Sequence, residues 1–333
     1  AYSTYRWTVN NVRDNNAANS MQIGEIELLG VSTGTLPTIT RQPVPVLNIF
    51  AGGSPSVNIA AVGYPTNLTY QWYSNSVAVA DATNAIFPIG VVQLANSGDT
   101  FKCVVTNLTG SVTSSVVTLN VLTPPTNAYP ATVLADGPVS LWRLDEGPDD
   151  GIGNAGIVAN DYWGGHSGVY TNVTLAQPGY SVNDTDTAAT FGFINGAPVI
   201  ADSYAGGIGG IDFSAPTNHS ANFSIEAWIN GPDQNYDAGI ISKGSGGGGE
   251  QFTLDTGGTA AGPHGIRFYV RDVSGTVHSA NTGTNLMDSA GHHVVGGCDE
   301  THSNVTLYVD GLVASVATIS PSNGLPSSSS PVV

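Results

Sequence analysis

The chain is poor in charged residues and very poor in basic ones. Lys and Arg together number 8 and Asp and Glu 25 among 333 residues, which gives a formal net charge of −17. Only 10% of the residues are charged, against roughly 25% in an ordinary globular protein. A protein that binds nucleic acid through its phosphates needs a basic surface, so nucleic acid is excluded as a partner. The shortage of Glu and Lys also excludes a coiled coil or a long helical bundle.

The chain also lacks long apolar runs and has few cysteines. No stretch of about 20 apolar residues occurs, so we expect no membrane insertion. The first residues show neither the basic start nor the apolar core of a signal peptide, so we expect a mature form or an excised piece of a longer protein. Cys103 and Cys298 are too few for a disulfide framework. We expect two unpaired structural thiols, with one long-range bridge as the alternative.

Turn-forming residues and short alternating segments dominate what is present. The chain has 42 Gly and 19 Pro, and strand-like segments recur roughly every 8–12 residues, as in β-sandwiches. Residues 304–309 alternate, and the Asp310-Gly311 dipeptide that follows is a strong hairpin signal. We find no convincing helix of about ten residues or more, so we predict an all-β fold class.

Proline-rich stretches suggest the domain boundaries. Pro124-Pro125 predicts a stiff linker that cannot pair as a strand, and Thr35-Leu36-Pro37 suggests a second boundary. We therefore predict three units, at residues 1–36, 37–124 and 125–333.

The middle unit carries an aromatic strand followed by a cysteine strand. Tyr70-Gln71-Trp72-Tyr73 predicts a strand with a buried tryptophan, and Phe101 precedes Cys103 by two residues after a Gly turn. This arrangement resembles the immunoglobulin-like modules of bacterial secreted proteins. The usual partner cysteine would fall near Ile59 and is missing, so we expect a sandwich whose core holds by packing alone.

The C-terminal unit resembles the laminin-G-like (concanavalin A-like) jelly-roll domain. The segments that carry the resemblance are residues 139–146, 223–229, 240–244, 292–296 and 306–311. The resemblance implies an all-β sandwich in which 139–146 is the first strand and 223–229 a central one. The chain stops before the closing strand that is usual in this family.

Residues 5–9 and 18–30 resemble the C-terminal hairpin of a discoidin-like domain. A single hairpin is too small to bury a core. Both ends therefore look like cuts within a domain, and missing strands could come from neighbouring chains through open sheet edges.

Resemblance to the laminin-G-like family also implies a calcium site. Asp145, Glu146 and Asp161 match positions near the calcium site of many such domains, and calcium prefers oxygen ligands. The alternative is that these are surface acids. His292 and His293 are zinc-ligand types, but neighbouring residues of a strand point to opposite faces, so we expect a structural role for them.

An aromatic pair on a Gly-rich loop is the main candidate for ligand binding. Tyr162 and Trp163, with His166 nearby, could stack on a sugar ring. The alternative is that Trp163 folds back and covers the edge of the jelly roll.

Acidic residues suited to glycoside hydrolysis are scattered. Hydrolysis usually needs two carboxylates about 5–10 Å apart, and no Glu-x-Asp-x-x-Glu run occurs. If the protein is an enzyme, we expect a glycoside hydrolase that uses Glu226, Glu250 and Asp255.

These observations favour an extracellular fragment of a larger secreted or cell-surface bacterial protein. Its predicted role is non-catalytic binding of a polysaccharide, a cell-surface glycan or another surface, with calcium as a candidate cofactor. The alternatives are a glycoside hydrolase on the jelly-roll fold and a structural subunit of an extracellular filament.

Overall fold

The computed structural model describes most of the chain from residue 34 onward. The described residues are 34–181, 186–191, 193–194, 197–198, 204–206, 209–215, 217, 220–234, 237–244, 248–257, 265–319 and 324–333. The predicted discoidin-like remnant, residues 1–36, lies almost wholly outside them.

The first part of the described chain is a small β-sandwich. Its strands are β1 (Thr35–Arg41), β2 (Val46–Phe50), β3 (Ser56–Asn58), β4 (Ala60–Tyr64), β5 (Thr69–Ser74), β6 (Val77–Ala78), β7 (Ile86–Pro88), β8 (Thr100–Asn107), β9 (Gly110–Thr113) and β10 (Val117–Leu122). One sheet has the order β2-β10-β8-β5-β6, with β9 paired to β8, and β1 with β4 and β3 with β7 form the two other pairs. Strand β1 begins two residues before the predicted boundary at residue 37.

The sandwich core centres on Trp72, as predicted. Its side chain is fully buried, its ring lies 5.9 Å from that of Phe87, and its indole Nε1–H donates to the Asn84 carbonyl oxygen at 2.9 Å. Cys103 and Ile59 are buried in the same core. Neither Cys103 nor Cys298 forms a disulfide, so the prediction of two unpaired thiols is confirmed.

A short helix that the sequence did not reveal joins the two parts. Helix α1 (Ala128–Ala135) follows the Pro124-Pro125 linker and has eight residues. Gly137 has φ of +66° just after the helix, a conformation that glycine adopts readily and that commonly ends helices.

The remaining described strands form the jelly roll. They are β11 (Val158–Ala159), β12 (Gly168–Thr171), β13 (Val173–Pro178), β14 (Thr187–Phe191), β15 (Phe193–Ile194), β16 (Ala197–Pro198), β17 (Tyr204–Gly206), β18 (Asn222–Ile229), β19 (Gly239–Lys243), β20 (Phe252–Asp255), β21 (Gly265–Arg271), β22 (Val277–Asn285), β23 (His292–Asp299), β24 (Asn304–Val309) and β25 (Leu312–Thr318). Two four-stranded sheets, β18-β23-β24-β25 and β19-β20-β21-β22, contribute to one core that includes Phe223, Phe252, Phe268, Val294 and Leu307. The predicted all-β fold class is confirmed.

The predicted hairpin at Asp310-Gly311 joins β24 to β25. Both turn residues have positive φ, +51° and +79°, as a type I′ turn requires. This turn fixes the register of the two strands, so Tyr308 lies opposite Val313.

Residues 139–146 do not form the regular first strand that the resemblance implied. Only Trp142 makes an isolated bridge, with Asp161. The backbone N–H of Leu141 donates to the Asp161 carboxylate instead of to a neighbouring strand, and Leu144 has φ of +56°. The ladder is therefore interrupted on both sides of Trp142.

The last residues of the chain lie along the edge of β19. Ser242 and Val333 exchange two backbone hydrogen bonds of 2.8 Å, and the Lys243 ammonium donates to the Ser330 carbonyl oxygen. The segment thus pairs with an edge that would otherwise offer unpaired backbone groups.

Candidate functional site

The Gly-rich loop that follows β11 is organised by the buried carboxylate of Asp161. Its Oδ1 accepts hydrogen bonds from the backbone N–H groups of Leu141, Trp163 and Gly164, and its Oδ2 accepts one from the N–H of His166 at 2.8 Å. Burial pushes the pKa of Asp161 up, but the hydrogen bonds from His166, Leu141 and Trp163 outweigh it and leave the pKa below its usual value. An ionised Asp161 therefore holds the loop together.

Both acidic neighbours of this loop also have partners. The Glu146 Oε1 accepts the N–H of Asn160 at 2.7 Å, and its Oε2 accepts the Tyr170 hydroxyl at 2.5 Å. The Asp145 Oδ1 accepts the Tyr162 hydroxyl at 3.2 Å, and its Oδ2 lies 3.2 Å from the Arg143 guanidinium. Burial raises the pKa of Asp145, although Arg143 opposes the change.

The three predicted calcium ligands already accept hydrogen bonds from other groups. No group of three or more His, Cys, Asp or Glu side chains that could hold a metal occurs in the described part of the chain. Asp161 is completely buried, and both its oxygens accept hydrogen bonds from backbone N–H groups. Calcium binding stays a prediction that no observation here supports.

Tyr162 and Trp163 lie at the contact between the two domains. The Tyr162 ring stacks on that of Phe50 with centroids 5.2 Å apart, and the Phe50 N–H donates to the Tyr162 carbonyl oxygen at 2.8 Å. The Trp163 ring packs against Gly52: a Cβ atom added to Gly52 would lie 3.5 Å from the ring. A sugar site on this loop remains a prediction, but these rings already have protein partners.

The third residue predicted for sugar binding, His166, is tied into the same loop. Its Nδ1 lies 2.8 Å from the Ser140 hydroxyl and 3.2 Å from the Asp161 Oδ2. Its carbonyl oxygen accepts the indole N–H of Trp142. His166 therefore serves the loop's own structure.

A polar groove runs beside this contact. It has a volume of about 470 Å³ and is lined on one side by Asn48 and on the other by Asp145, Glu146 and Asn160. The Asn48 side-chain amide donates to Asn160, and the Asn160 amide donates to Glu146. This chain of hydrogen bonds links the two domains.

The three acids considered for hydrolysis are not brought together as a catalytic set. Glu226 lies on β18, in one sheet, whereas Asp255 lies on β20, in the other. Asp255 binds the guanidinium of Arg267 at 2.5 Å, and Glu250 binds that of Arg271 at 2.9 Å. Burial raises the pKa of Asp255 despite the opposing effect of Arg267.

A cluster of aromatic rings, which the sequence did not reveal, lies on the outer face of the β18-β23-β24-β25 sheet. The rings of Tyr180 and Trp228 stack with centroids 5.1 Å apart, and Tyr129, from α1, lies 5.2 Å from Tyr180 and 5.9 Å from Trp228. His293 lies 5.1 Å from Trp228. We call these four residues the aromatic cluster.

Two rings of the aromatic cluster are open to solvent, and a carboxylate lies beside them. Trp228 is 40% exposed and Tyr180 37%. The Tyr129 hydroxyl donates to the Glu226 Oε1 at 3.4 Å, and the Glu226 Oε2 lies 3.6 Å from the His293 Nε2. Burial and the nearby Glu226 raise the pKa of Tyr129, so its hydroxyl stays protonated. Alternation along β18 could have placed Glu226 and Trp228 together on the outer face, but not Tyr129 or Tyr180.

Comparisons with solved structures return immunoglobulin-like and carbohydrate-binding domains at low similarity. The N-terminal Ig1-2 module of the Drosophila receptor protein tyrosine phosphatase DLAR is 22% identical over 26% of this chain and 46% of that chain, with a TM-score of 0.23. The Sidekick-1 immunoglobulin domains 1–5 are 11% identical over 87% of this chain and 60% of that one, with a TM-score of 0.25. The Ruminococcus gnavus IT-sialidase CBM40, bound to alpha2,3 sialyllactose, is 15% identical over 37% of this chain and 87% of that one, with a TM-score of 0.21.

These structural likenesses carry no argument about function. The chain spans less than half the length of the first immunoglobulin structures that it matches, and a comparison with the curated proteins finds no match. No helix among the described residues is long and apolar enough to span a membrane. Residues 205–333 match the family model of the concanavalin A-like lectin/glucanases superfamily, in agreement with the laminin-G-like resemblance of this part of the chain.

Proposed function

We propose that this chain is a non-catalytic glycan-binding part of a secreted or cell-surface bacterial protein, and that the aromatic cluster binds the sugar. The observation that carries the proposal is the exposed stack of Trp228 on Tyr180 beside the Glu226 carboxylate. The matched family includes lectins in its description, but a fold alone does not give a function.

The chemistry of the cluster suits a pyranose ring. One face of such a ring carries C–H groups, which pack on an aromatic surface, while its hydroxyl edge needs hydrogen-bonding partners. Trp228 and Tyr180 offer the surface, and Glu226 and His293 lie next to it as polar partners. Tyr129 packs against both rings and holds them in place. Such preorganisation lowers the entropy lost on binding.

The placement of the acids favours binding without hydrolysis. A glycosidase usually needs a second carboxylate about 5–10 Å from the first. The Glu226 carboxylate contacts Tyr129 and His293. A second carboxylate, that of Asp310, accepts the backbone N–H of His293 but also pairs with His292, and Glu250 and Asp255 are each held by an arginine. We therefore expect no release of reducing ends.

A panel of insoluble and soluble polysaccharides tests this function. The protein should be retained by at least one neutral polysaccharide in affinity electrophoresis or pull-down, and a reducing-sugar assay on the same panel should stay at background. Retention by none would overturn the proposal. Turnover that Glu226→Gln abolishes would establish the glycoside hydrolase alternative instead.

A further inference from the structure

The outer face of the sheet continues from the aromatic cluster to a second exposed ring. Glu226 pairs with Val295, Val295 with Tyr308, and Tyr308 with Val313. Residues paired in this way share one face of a sheet. The opposite face holds Ala227, Val294 and Val309 against the core, so the row from Glu226 to Val313 faces outward.

The spacing along this row suits a linear glycan. Tyr308 is 36% exposed and Val313 60%. Neighbouring strands lie about 4.8 Å apart, so Tyr308 is about 10 Å from the Glu226 position, the length of roughly two linked pyranose rings. Trp228 follows Glu226 by two residues on β18 and shares its face. One chain lying across the strands could therefore contact both Trp228 and Tyr308.

The charge of the face selects against acidic glycans. Its described outward positions on β18 and β23 include the carboxylates Glu226 and Asp299, but the described outward positions of all four strands include no Lys or Arg. An acidic polysaccharide would meet like charge there, and the net charge of −17 would repel it at longer range. Between Glu226 and Tyr308, Val295 offers an apolar surface.

We propose that this face is an extended track for an uncharged linear polysaccharide, in which Trp228 with Tyr180 forms one stacking anchor and Tyr308 the second. The track rests on the proposed function and adds to it the class of ligand and a second subsite. Because a chain crosses the whole sheet, it is bound along its length and not by its end.

Titration with neutral oligosaccharides of increasing length tests the track. The probes are cello-, xylo-, malto- and chito-oligosaccharides from two to six residues, with oligogalacturonides as the acidic comparison. Affinity for the series that binds should rise about tenfold or more between the disaccharide and the hexasaccharide. Tyr308→Ala should remove this rise, while Tyr308→Phe should retain it. The Tyr64→Ala variant, in an exposed tyrosine of the other domain, is the matched control.

The outcomes separate the track from the proposed function. A hexasaccharide affinity unchanged by Tyr308→Ala, or no gain with chain length, overturns the track but leaves glycan binding at the aromatic cluster standing. Tighter binding of oligogalacturonides than of the neutral series also overturns it. If no oligosaccharide or polysaccharide binds the unmodified protein, the proposed function itself fails. Circular dichroism of each variant shows that the fold is retained.

Discussion

The Tyr162 ring stacks on the Phe50 ring across the contact between the two domains, and the Phe50 N–H donates to the Tyr162 carbonyl oxygen. A second backbone bond, from the Ser56 N–H to the Gly164 carbonyl oxygen at 3.0 Å, lies on the other side of Trp163. The loop that carries Tyr162 and Trp163 therefore contacts the first β-sandwich, and a ligand site on it stays a prediction. We expect the loop to hold this sandwich in a fixed position on the jelly roll.

The first prediction concerns this stack. A double-mutant cycle of Phe50→Ala and Tyr162→Ala should give a coupling energy of about 0.5–1.5 kcal/mol, as aromatic pairs do. Urea unfolding of the two single variants, the double variant and the unmodified protein provides the measurement. A control cycle that pairs Phe50→Ala with the distant Tyr308→Ala should be additive. Additivity of the Phe50 and Tyr162 changes would show that the stack does not couple the domains.

The second prediction separates the two aromatic sites. Trp163→Ala should lower stability, because the ring packs against Gly52, and should leave polysaccharide affinity unchanged, because we propose that the sugar binds at Trp228. Thermal unfolding and affinity electrophoresis of the same sample measure both. A variant with unchanged melting temperature and lost binding would instead place the sugar on the loop, as the sequence suggested.

The third prediction concerns Asp161. Replacing one carboxylate oxygen by an amide turns an acceptor into a donor against the His166 N–H, so Asp161→Asn should destabilise the protein by about 1–3 kcal/mol. The exposed Asp136→Asn should have little effect and serves as the control. A loss of stability no larger than that of the control would contradict the role assigned to Asp161.

The pH dependence of the free energy of unfolding at low pH independently tests whether an ionised Asp161 stabilises the loop. Its folded-state pKa lies below the usual 3.8, so its stabilising effect is complete above that pH and is lost as the pH falls through the lower folded value. The unmodified protein should lose this contribution in acid, whereas Asp161→Asn should lack it. Parallel profiles for the two proteins would rule out an ionised Asp161 as the centre of the loop.

The fourth prediction concerns calcium. Since the oxygens of Asp145, Glu146 and Asp161 already accept hydrogen bonds, the geometry predicts no rise in melting temperature in millimolar calcium. A ligand that binds only the folded state would raise it. A rise that Asp161→Ala abolishes would establish the calcium site that the laminin-G-like resemblance implied.

Features that depend on local sequence were predictable. The buried Trp72 and the Asp310-Gly311 turn follow from alternation and turn chemistry within a few residues, and so does the strand that carries Glu226 and Trp228. The importance of the loop after Asp161 was also visible, because a Gly-rich segment with large aromatic residues is unusual.

Features that depend on distant partners were not predictable. The ring of Tyr162 meets Phe50, more than a hundred residues away in sequence, so nothing near Tyr162 shows that its face is covered. The aromatic cluster joins Tyr129, Tyr180 and Trp228 from three separate segments, and one of them lies on a helix too short to give a periodic signal. Only the tertiary structure brings these rings together.

Isothermal titration of the unmodified protein and of Trp228→Ala with the same neutral polysaccharide tests the central claim, glycan binding at the aromatic cluster, most directly. Stacking of this kind is worth about 1–3 kcal/mol on nucleic-acid bases, so we predict an affinity loss of roughly 5- to 150-fold, with the fold retained by circular dichroism. Tyr64→Ala should bind as the unmodified protein does. Equal affinities for Trp228→Ala and the unmodified protein would contradict the claim.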